Sequence, residues 1–151
     1  MAKIRRIVVH CTAEPSNAKR NREYYRHLFF DVYHWNHWGY HCIVYQDGSW
    51  EKLQTWPAVR VNGGYIDAFT RANGAAGYNN DSLHIAYVGG INPITKKNLD
   101  TRTPQQKATL AYIITKWKHD YLINEIIGHN QLPHVRKACP CFDARKEYEN
   151  V

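Results

Sequence analysis

The sequence has few cysteines and no long apolar run. Four cysteines stand among 151 residues, at positions 11, 42, 139 and 141, and no two of them form a C-x-x-C pair. This spacing argues against zinc fingers, zinc ribbons and thioredoxin-type motifs, and the density is too low for a disulfide scaffold. No stretch approaches the roughly 20 apolar residues that cross a bilayer. The apolar run at residues 7–9 is too short for a secretory signal, so we expect a chain that is cytoplasmic as synthesised.

Acidic residues are also scarce, because 13 Asp and Glu face 20 Lys and Arg and leave a net charge of +7. A basic balance suggests a polyanionic partner. The charge is scattered, however, and its densest runs are only residues 19–22 and 145–146. No RNA-recognition or zinc-finger signature accompanies it. A solvated basic face is therefore favoured over a nucleic-acid-binding module.

The order of predicted elements indicates an α/β fold, with one domain and a central mixed sheet flanked by helices. The β-branched run at residues 4–10 predicts a buried strand, residues 14–17 a turn, and residues 21–35 an amphipathic helix. Residues 40–45 and 50–54 flank Asp47-Gly48, which predicts a hairpin. Residues 57–82, rich in Gly and Asn, are expected to be mostly loop.

In the second half of the chain, predicted strands and helices again alternate. Residues 83–88 predict a strand that Gly89-Gly90 stops, and residues 123–128 predict another. Between them, Thr103-Pro104-Gln105-Gln106 has the order of a capping box with a first-turn proline, which opens a helix to about Asp120. A short helix is expected at residues 142–148. The face of the long helix that covers the sheet is predicted to carry Ala108, Ala111, Ile114, Trp117 and Tyr121.

Two predicted strands end in histidine, at His10 and at His129. If these strands are parallel neighbours, their imidazoles converge at one edge of the sheet. Cys139 follows ten residues after His129. Two imidazoles and one thiolate form a three-ligand zinc site with a fourth position open to water. The pattern therefore predicts a candidate catalytic zinc centre.

Other arrangements compete with this one. His34, His37 and His41 have helical spacing, although Gly39 is expected to end the helix before His41. Cys139 and His129 could also form a nucleophile–base pair without metal. His134 and Cys141 are further candidates for the ligand roles, although Cys141 is expected to face away from the site as a small apolar residue. A serine hydrolase and an H-E-x-x-H metalloprotease are not supported, because neither motif is present.

Several sequence blocks, taken together and in order, resemble the zinc-dependent N-acetylmuramoyl-L-alanine amidases, a family that includes amidase-type phage lysozymes and the peptidoglycan recognition proteins. They cover nearly the whole chain. The blocks are Val8-Val9-His10-Cys11-Thr12-Ala13, Gly39-Tyr40-His41, Gln46-Asp47-Gly48, Gly77-Tyr78-Asn79 with Ser82, Val88-Gly89-Gly90-Ile91, Thr103-Pro104-Gln105-Gln106, Gly128-His129 and Lys137-Ala138-Cys139-Pro140-Cys141-Phe142-Asp143.

The resemblance implies one Zn²⁺ per chain, held by His10, His129 and Cys139. It implies that Tyr40 orients or helps to deprotonate the attacking water and that Lys137 stabilises the oxyanion. The substrate would be peptidoglycan, cut between N-acetylmuramic acid and L-alanine for cell-wall degradation or lysis after release or delivery. Residues 1–151 would form the catalytic domain, with no separate wall-binding domain and no membrane anchor.

The sequence departs from the family in two places. Residues 73–78 lack the histidine that phage relatives commonly carry before the Gly-Tyr-Asn block, and Cys141 stands where serine is frequent. A different class, a non-catalytic peptidoglycan-binding module, stays open, although such members are expected to lack the thiolate ligand and Cys139 is present. No sequence feature indicates a surface for a regulatory protein partner.

Overall fold

A mixed five-stranded sheet forms the centre of the computed structural model, which describes residues 1–151. The strands along the chain are β1 (Ala2–Lys3), β2 (Arg6–Cys11), β3 (Glu14–Pro15), β4 (Cys42–Val44), β5 (Trp50–Lys52), β6 (Tyr65–Ile66), β7 (Ser82–Tyr87), β8 (Gly90–Ile91) and β9 (Glu125–Gly128). The central sheet has the order β5-β4-β7-β2-β9, while β1 pairs with β6 and β3 with β8. Only the β4–β5 hairpin is antiparallel within the central sheet, so the α/β mixed-sheet prediction is confirmed.

Helices cover the sheet. They are α1 (Arg22–Arg26), which continues as a π-helical segment over His27–Val32, then α2 (Pro104–Tyr121) and α3 (Ala144–Glu147). The predicted capping box of α2 is present: Thr103 Oγ1 accepts from the Gln106 amide, and Gln106 Oε1 accepts from the Thr103 amide, both at 3.0 Å. None of the helices has the length and apolarity that a bilayer crossing requires.

Both faces of the sheet are buried, because alternate residues of a strand point to opposite sides. Ile7 and Val9 of β2 lie in the cluster that includes the buried stripe of α2. Val8 lies on the other side, where loops and the segment around α1 pack. The helix side holds the larger core, and the loop side holds the candidate site.

Three local predictions were wrong in detail. The helix predicted to reach residue 35 ends at Val32, where the wide π-helical turn gives way to irregular chain and His34 takes a left-handed φ of 58°. Of the turn predicted at residues 14–17, Glu14 and Pro15 instead form β3, because they pair with β8, while Ser16 and Asn17 do form a turn. Ala108 and Ala111 are exposed, since the bulkier side chains one or two positions away fill the interface instead. The buried residues of α2 are Gln106, Leu110, Ile113, Ile114, Trp117 and Tyr121.

Candidate metal centre and its cavity

The carboxyl ends of β2 and β9 bring His10 and His129 together. The two strands are parallel neighbours in which Val9 is paired with Gly128, so the next residue of each emerges at the same edge. The imidazole centroids are 4.7 Å apart. The two histidines therefore converge at one edge of the sheet, because their strands are parallel neighbours.

Cys139 reaches the same point from the loop that follows β9. The backbone amide of Cys11 donates to Cys139 Sγ at 3.1 Å, and the same sulfur lies 3.7 Å from Nδ1 of His10. The ligand atoms of His10, His129 and Cys139 all lie within 4.8 Å of one another. Both histidines are buried and the cysteine is half-buried, so water has limited access to the cluster.

The spacing and chemistry of these donors fit a zinc ion. Two tetrahedral ligands at about 2.1 Å for nitrogen and about 2.3 Å for sulfur are roughly 3.6 Å apart. The 3.7 Å between His10 Nδ1 and Cys139 Sγ agrees with that separation. The Cys11 amide also suits a thiolate, because a donated hydrogen bond stabilises negative charge on sulfur.

Electrostatics keep both imidazoles uncharged at neutral pH. Burial lowers the pKa of His10 well below its usual value, and nearby His84, His129 and Lys137 add to the effect. Burial and the charge of Lys137 lower the pKa of His129 to about 4. A neutral imidazole has a free lone pair, which is the form that binds a metal.

A cavity of about 410 Å³ opens beside the cluster and includes Tyr40 and Lys137 in its lining. The ring of Tyr40 lies 5.2 Å from that of His10 and 5.7 Å from that of Phe29. Burial raises the pKa of Tyr40, so its phenol is protonated at neutral pH. Lys137 is exposed at the rim. The lining also includes the aromatic side chains of Tyr24, Tyr25, Phe29, Tyr33 and Trp35.

The competing histidines lie elsewhere. His34 is exposed beyond the end of the first helix, and His37 contacts Arg71 at the surface side of a loop. His41 is buried, but its Nε2 is satisfied by the carbonyl of Thr70 at 2.6 Å. His134 is exposed with a left-handed φ of 64° and does not join the cluster.

Cys141 points away from the cluster and into the helix side of the core. Its sulfur lies 4.0 Å from Cys11 Sγ and 3.5 Å from the Gly90 carbonyl oxygen. Burial raises the pKa of this thiol to about 12, so it is a neutral thiol. This agrees with the interpretation of Cys141 as a small apolar residue.

Two polar residues near the site were not identified from the sequence. His84 is fully buried in β7 and touches His10. Glu14 lines the cavity and binds both the Tyr25 hydroxyl and the Arg20 guanidinium at 2.6 Å. His84 stands out in the sequence as a polar residue inside the apolar run at residues 83–88. Glu14 does not stand out, because it lies among residues typical of a turn.

The family described as N-acetylmuramoyl-L-alanine amidase matches residues 1–142 of the sequence. The chain belongs to this family. Membership confirms the family that the sequence blocks resemble and makes the chain a peptidoglycan amidase.

Phage endolysins are among the relatives of this amidase. The endolysin of Klebsiella phage KP32 is 28% identical over 149 residues, which cover 95% of this chain and 84% of that protein. The endolysin of Escherichia phage T7 is 29% identical over 144 residues, with coverage of 95% and 84%.

Solved structures share the fold of this amidase. Bumblebee PGRP-SA superposes with a TM-score of 0.72 at 17% identity, covering 99% of this chain and 83% of that one. The amidase LysC from Clostridium intestinale gives a TM-score of 0.71 at 19% identity, with coverage of 97% and 82%. These similarities confirm the α/β architecture.

Proposed function

We propose that residues 1–151 form a zinc amidase domain that cuts the amide between N-acetylmuramic acid and L-alanine of peptidoglycan, in the service of cell lysis. The observation that carries this proposal is the meeting of His10, His129 and Cys139 beside an open cavity. Family membership supports the reaction, and the phage endolysins among the relatives support the role in lysis.

The three candidate ligands would hold one Zn²⁺ per chain. When bound, the ion would supply Lewis acidity, which polarises the scissile carbonyl and makes water acidic enough to attack at neutral pH. His10 and His129 contribute neutral nitrogens, and the amide of Cys11 stabilises the Cys139 thiolate. Since three protein ligands leave one position free, the set matches a catalytic rather than a structural zinc site.

Tyr40 and Lys137 would act on the substrate from the lining of the cavity. The hydroxyl of Tyr40 would orient the attacking water by hydrogen bonding. The ammonium of Lys137 would stabilise the negative charge that develops on the carbonyl oxygen during attack. The aromatic side chains of the same lining would contact the sugar or the stem peptide through apolar surface.

The chain provides a matched pair of thiols to test the ligand set. We expect Cys139→Ser to lose most of its zinc and at least about 100-fold of its activity, because loss of even an outer partner of a ligand costs about 10–100-fold. Cys141→Ser should keep both, since its sulfur faces Cys11 and Gly90. The measurements are zinc content per chain and release of stem peptides from purified cell walls.

Lys137→Met separates metal binding from catalysis in the same assays. It should retain zinc and lose hydrolysis, because its ammonium lies at the rim of the cavity and is not a ligand. Zinc and activity retained in Cys139→Ser would show that the third ligand is misassigned. A fully zinc-loaded wild type that binds stem peptides without cutting them would instead identify a binding module.

A further inference from the structure

The His10 imidazole has a second polar contact on the side away from Cys139. Its Nε2 lies 2.9 Å from Nδ1 of His84, and the two ring centroids are 5.1 Å apart. His84 lies in β7 next to β2, is fully buried and does not line the cavity. It therefore has access to His10 but not to a substrate in the cavity.

This contact decides which nitrogen of His10 can bind a metal. A ligand nitrogen must be bare, and Nδ1 is the nitrogen that faces the sulfur of Cys139, at 3.7 Å. The ring proton must then be on Nε2, where it needs an acceptor. Nδ1 of His84 is the acceptor that the structure provides.

We propose that His84 is a positioning residue that fixes the tautomer and ring orientation of His10 for zinc binding. The inference rests on the proposed function, since it takes His10 as a ligand. Metal-bound histidines commonly donate their second N–H to a neighbouring group, and that partner tunes metal affinity. Here the partner is another imidazole.

The surroundings of His84 hold its ring in place. Its backbone amide donates to Nδ1 of His41 at 3.0 Å, and the two rings stack with centroids 6.0 Å apart. On another side the loop passes so closely at Gly74 that a β-carbon there would overlap the imidazole of His84. The ring is therefore held between His41 and the backbone of the loop.

The side chain of His84 has no polar contact other than the one with His10. The hydrogen bond to His10 is the one that its side chain makes, and its Nε2 is buried without a partner. A buried, unpaired ring nitrogen is unfavourable, so the presence of an imidazole here calls for an explanation. The contact with His10 accounts for an imidazole among the apolar residues of β7.

Substitution of His84 tests the proposal through zinc affinity rather than activity. We expect His84→Leu, which fills the space without accepting a hydrogen bond, to bind zinc about 10–100-fold more weakly in a chelator competition. His84→Asn should stay within a few-fold of wild type, because its amide oxygen is as far along the side chain as Nδ1. Thermal unfolding of the zinc-free proteins verifies that each variant folds.

Two glycines in the same loop provide a second pair of variants. Gly74→Ala should weaken zinc binding, since its methyl group displaces the His84 ring. Gly77→Ala is the matched control, because Gly77 has a φ of 86° and open space around it. That variant should lose stability through backbone strain and keep the zinc affinity of wild type.

The tautomer can also be read directly from ¹⁵N chemical shifts of His10 in the zinc-loaded protein, where we expect a protonated Nε2. Zinc affinity unchanged in folded His84→Leu, or equal in Gly74→Ala and Gly77→Ala, would overturn the role of His84 and leave the proposed function intact. Wild type that binds zinc no better than Cys139→Ser would overturn both. If His84→Leu does not fold, the Asn variant and the glycine pair decide the question.

Discussion

The nine histidines differ in burial, and burial decides which of them are held in the uncharged state. Four are buried: His10, His41, His84 and His129. Removal from water lowers the pKa of each of these four, so the interior holds them as neutral rings. The remaining five are exposed or half-buried and take no part in the cluster.

The neutral state of His41 predicts acid sensitivity. Its pKa falls to about 4 in the folded chain from about 6.5 in the unfolded one, so the unfolded chain binds more protons between these values. The contribution of neutral His41 to the free energy of unfolding is fully present above pH 6.5 and decreases as the pH falls toward 4. We expect His41→Gln to reduce the slope of unfolding free energy against pH by up to about 1.4 kcal/mol per pH unit.

Denaturant titrations at a series of pH values, with a chelator present, measure that slope. The chelator removes any contribution from metal release. The difference between the variant and wild type at pH 7.5 gives the cost of the substitution itself, because both side chains are uncharged there. Parallel slopes in the two proteins between pH 6.5 and 4 would contradict the prediction.

For individual residues, the sequence predicts which side chains belong to the candidate site better than it predicts what surrounds them. His10 and His129 are recognisable because each follows an apolar strand, and Cys139 because it follows at a suitable distance. The sequence marks His84 as a polar residue within an apolar run but not as a partner of His10, because that contact joins residues 74 positions apart and depends on the pairing of β2 with β7. Strand register is a tertiary property that local patterns do not contain.

Elements with strong local signals were predicted well. The hairpin at Asp47-Gly48 and the start of α2 at Thr103 follow from turn and capping chemistry, which acts over a few residues. The end of the first helix was predicted poorly, since the aromatic spacing continues past Val32 while the backbone does not. The aromatic residues that follow pack around Phe29 from irregular chain, and Trp35 stacks on it at 5.5 Å.

Thr103 joins two elements, which makes the start of α2 a sensitive point. Its Oγ1 caps the helix by accepting from Gln106, and it also donates to the Gln46 carbonyl in the hairpin turn at 2.6 Å. We expect Thr103→Ala to lower the free energy of unfolding by about 1–2 kcal/mol, the upper range for loss of a cap. Chemical denaturation measures the change.

Serine at position 103 is the appropriate control, because it keeps the hydroxyl and removes only a methyl group. Thr103→Ser should remain within about 0.5 kcal/mol of wild type. A loss in the serine variant as large as that in the alanine variant would assign the effect to packing rather than to the two hydrogen bonds.

The whole molecule carries a net charge of +7, and peptidoglycan carries carboxylates on its stem peptides. Attraction between them is long-ranged and is screened by salt, with a Debye length of about 10 Å at 0.1 M. We therefore expect digestion of whole cell walls at low wall concentration to slow as NaCl rises from about 20 to about 300 mM. Turbidity of a wall suspension measures the rate.

A soluble muropeptide with its free carboxylates amidated is the control substrate. Its hydrolysis should depend little on salt, since it presents no negative surface to the basic protein. The same salt dependence for both substrates would place the effect in the active site instead of in the approach to the wall.

His10 is far along the chain from the other two candidate ligands, His129 and Cys139. The first belongs to a central strand made early in synthesis, and the last lies beyond the final strand of the sheet. During translation, β2 is therefore made before its neighbours β7 and β9, and His10 has no second candidate ligand beside it until the chain has passed β9. A ribosome-bound chain that stops short of residue 139 lacks the third candidate ligand, so this ligand set is complete only after Cys139 has been made.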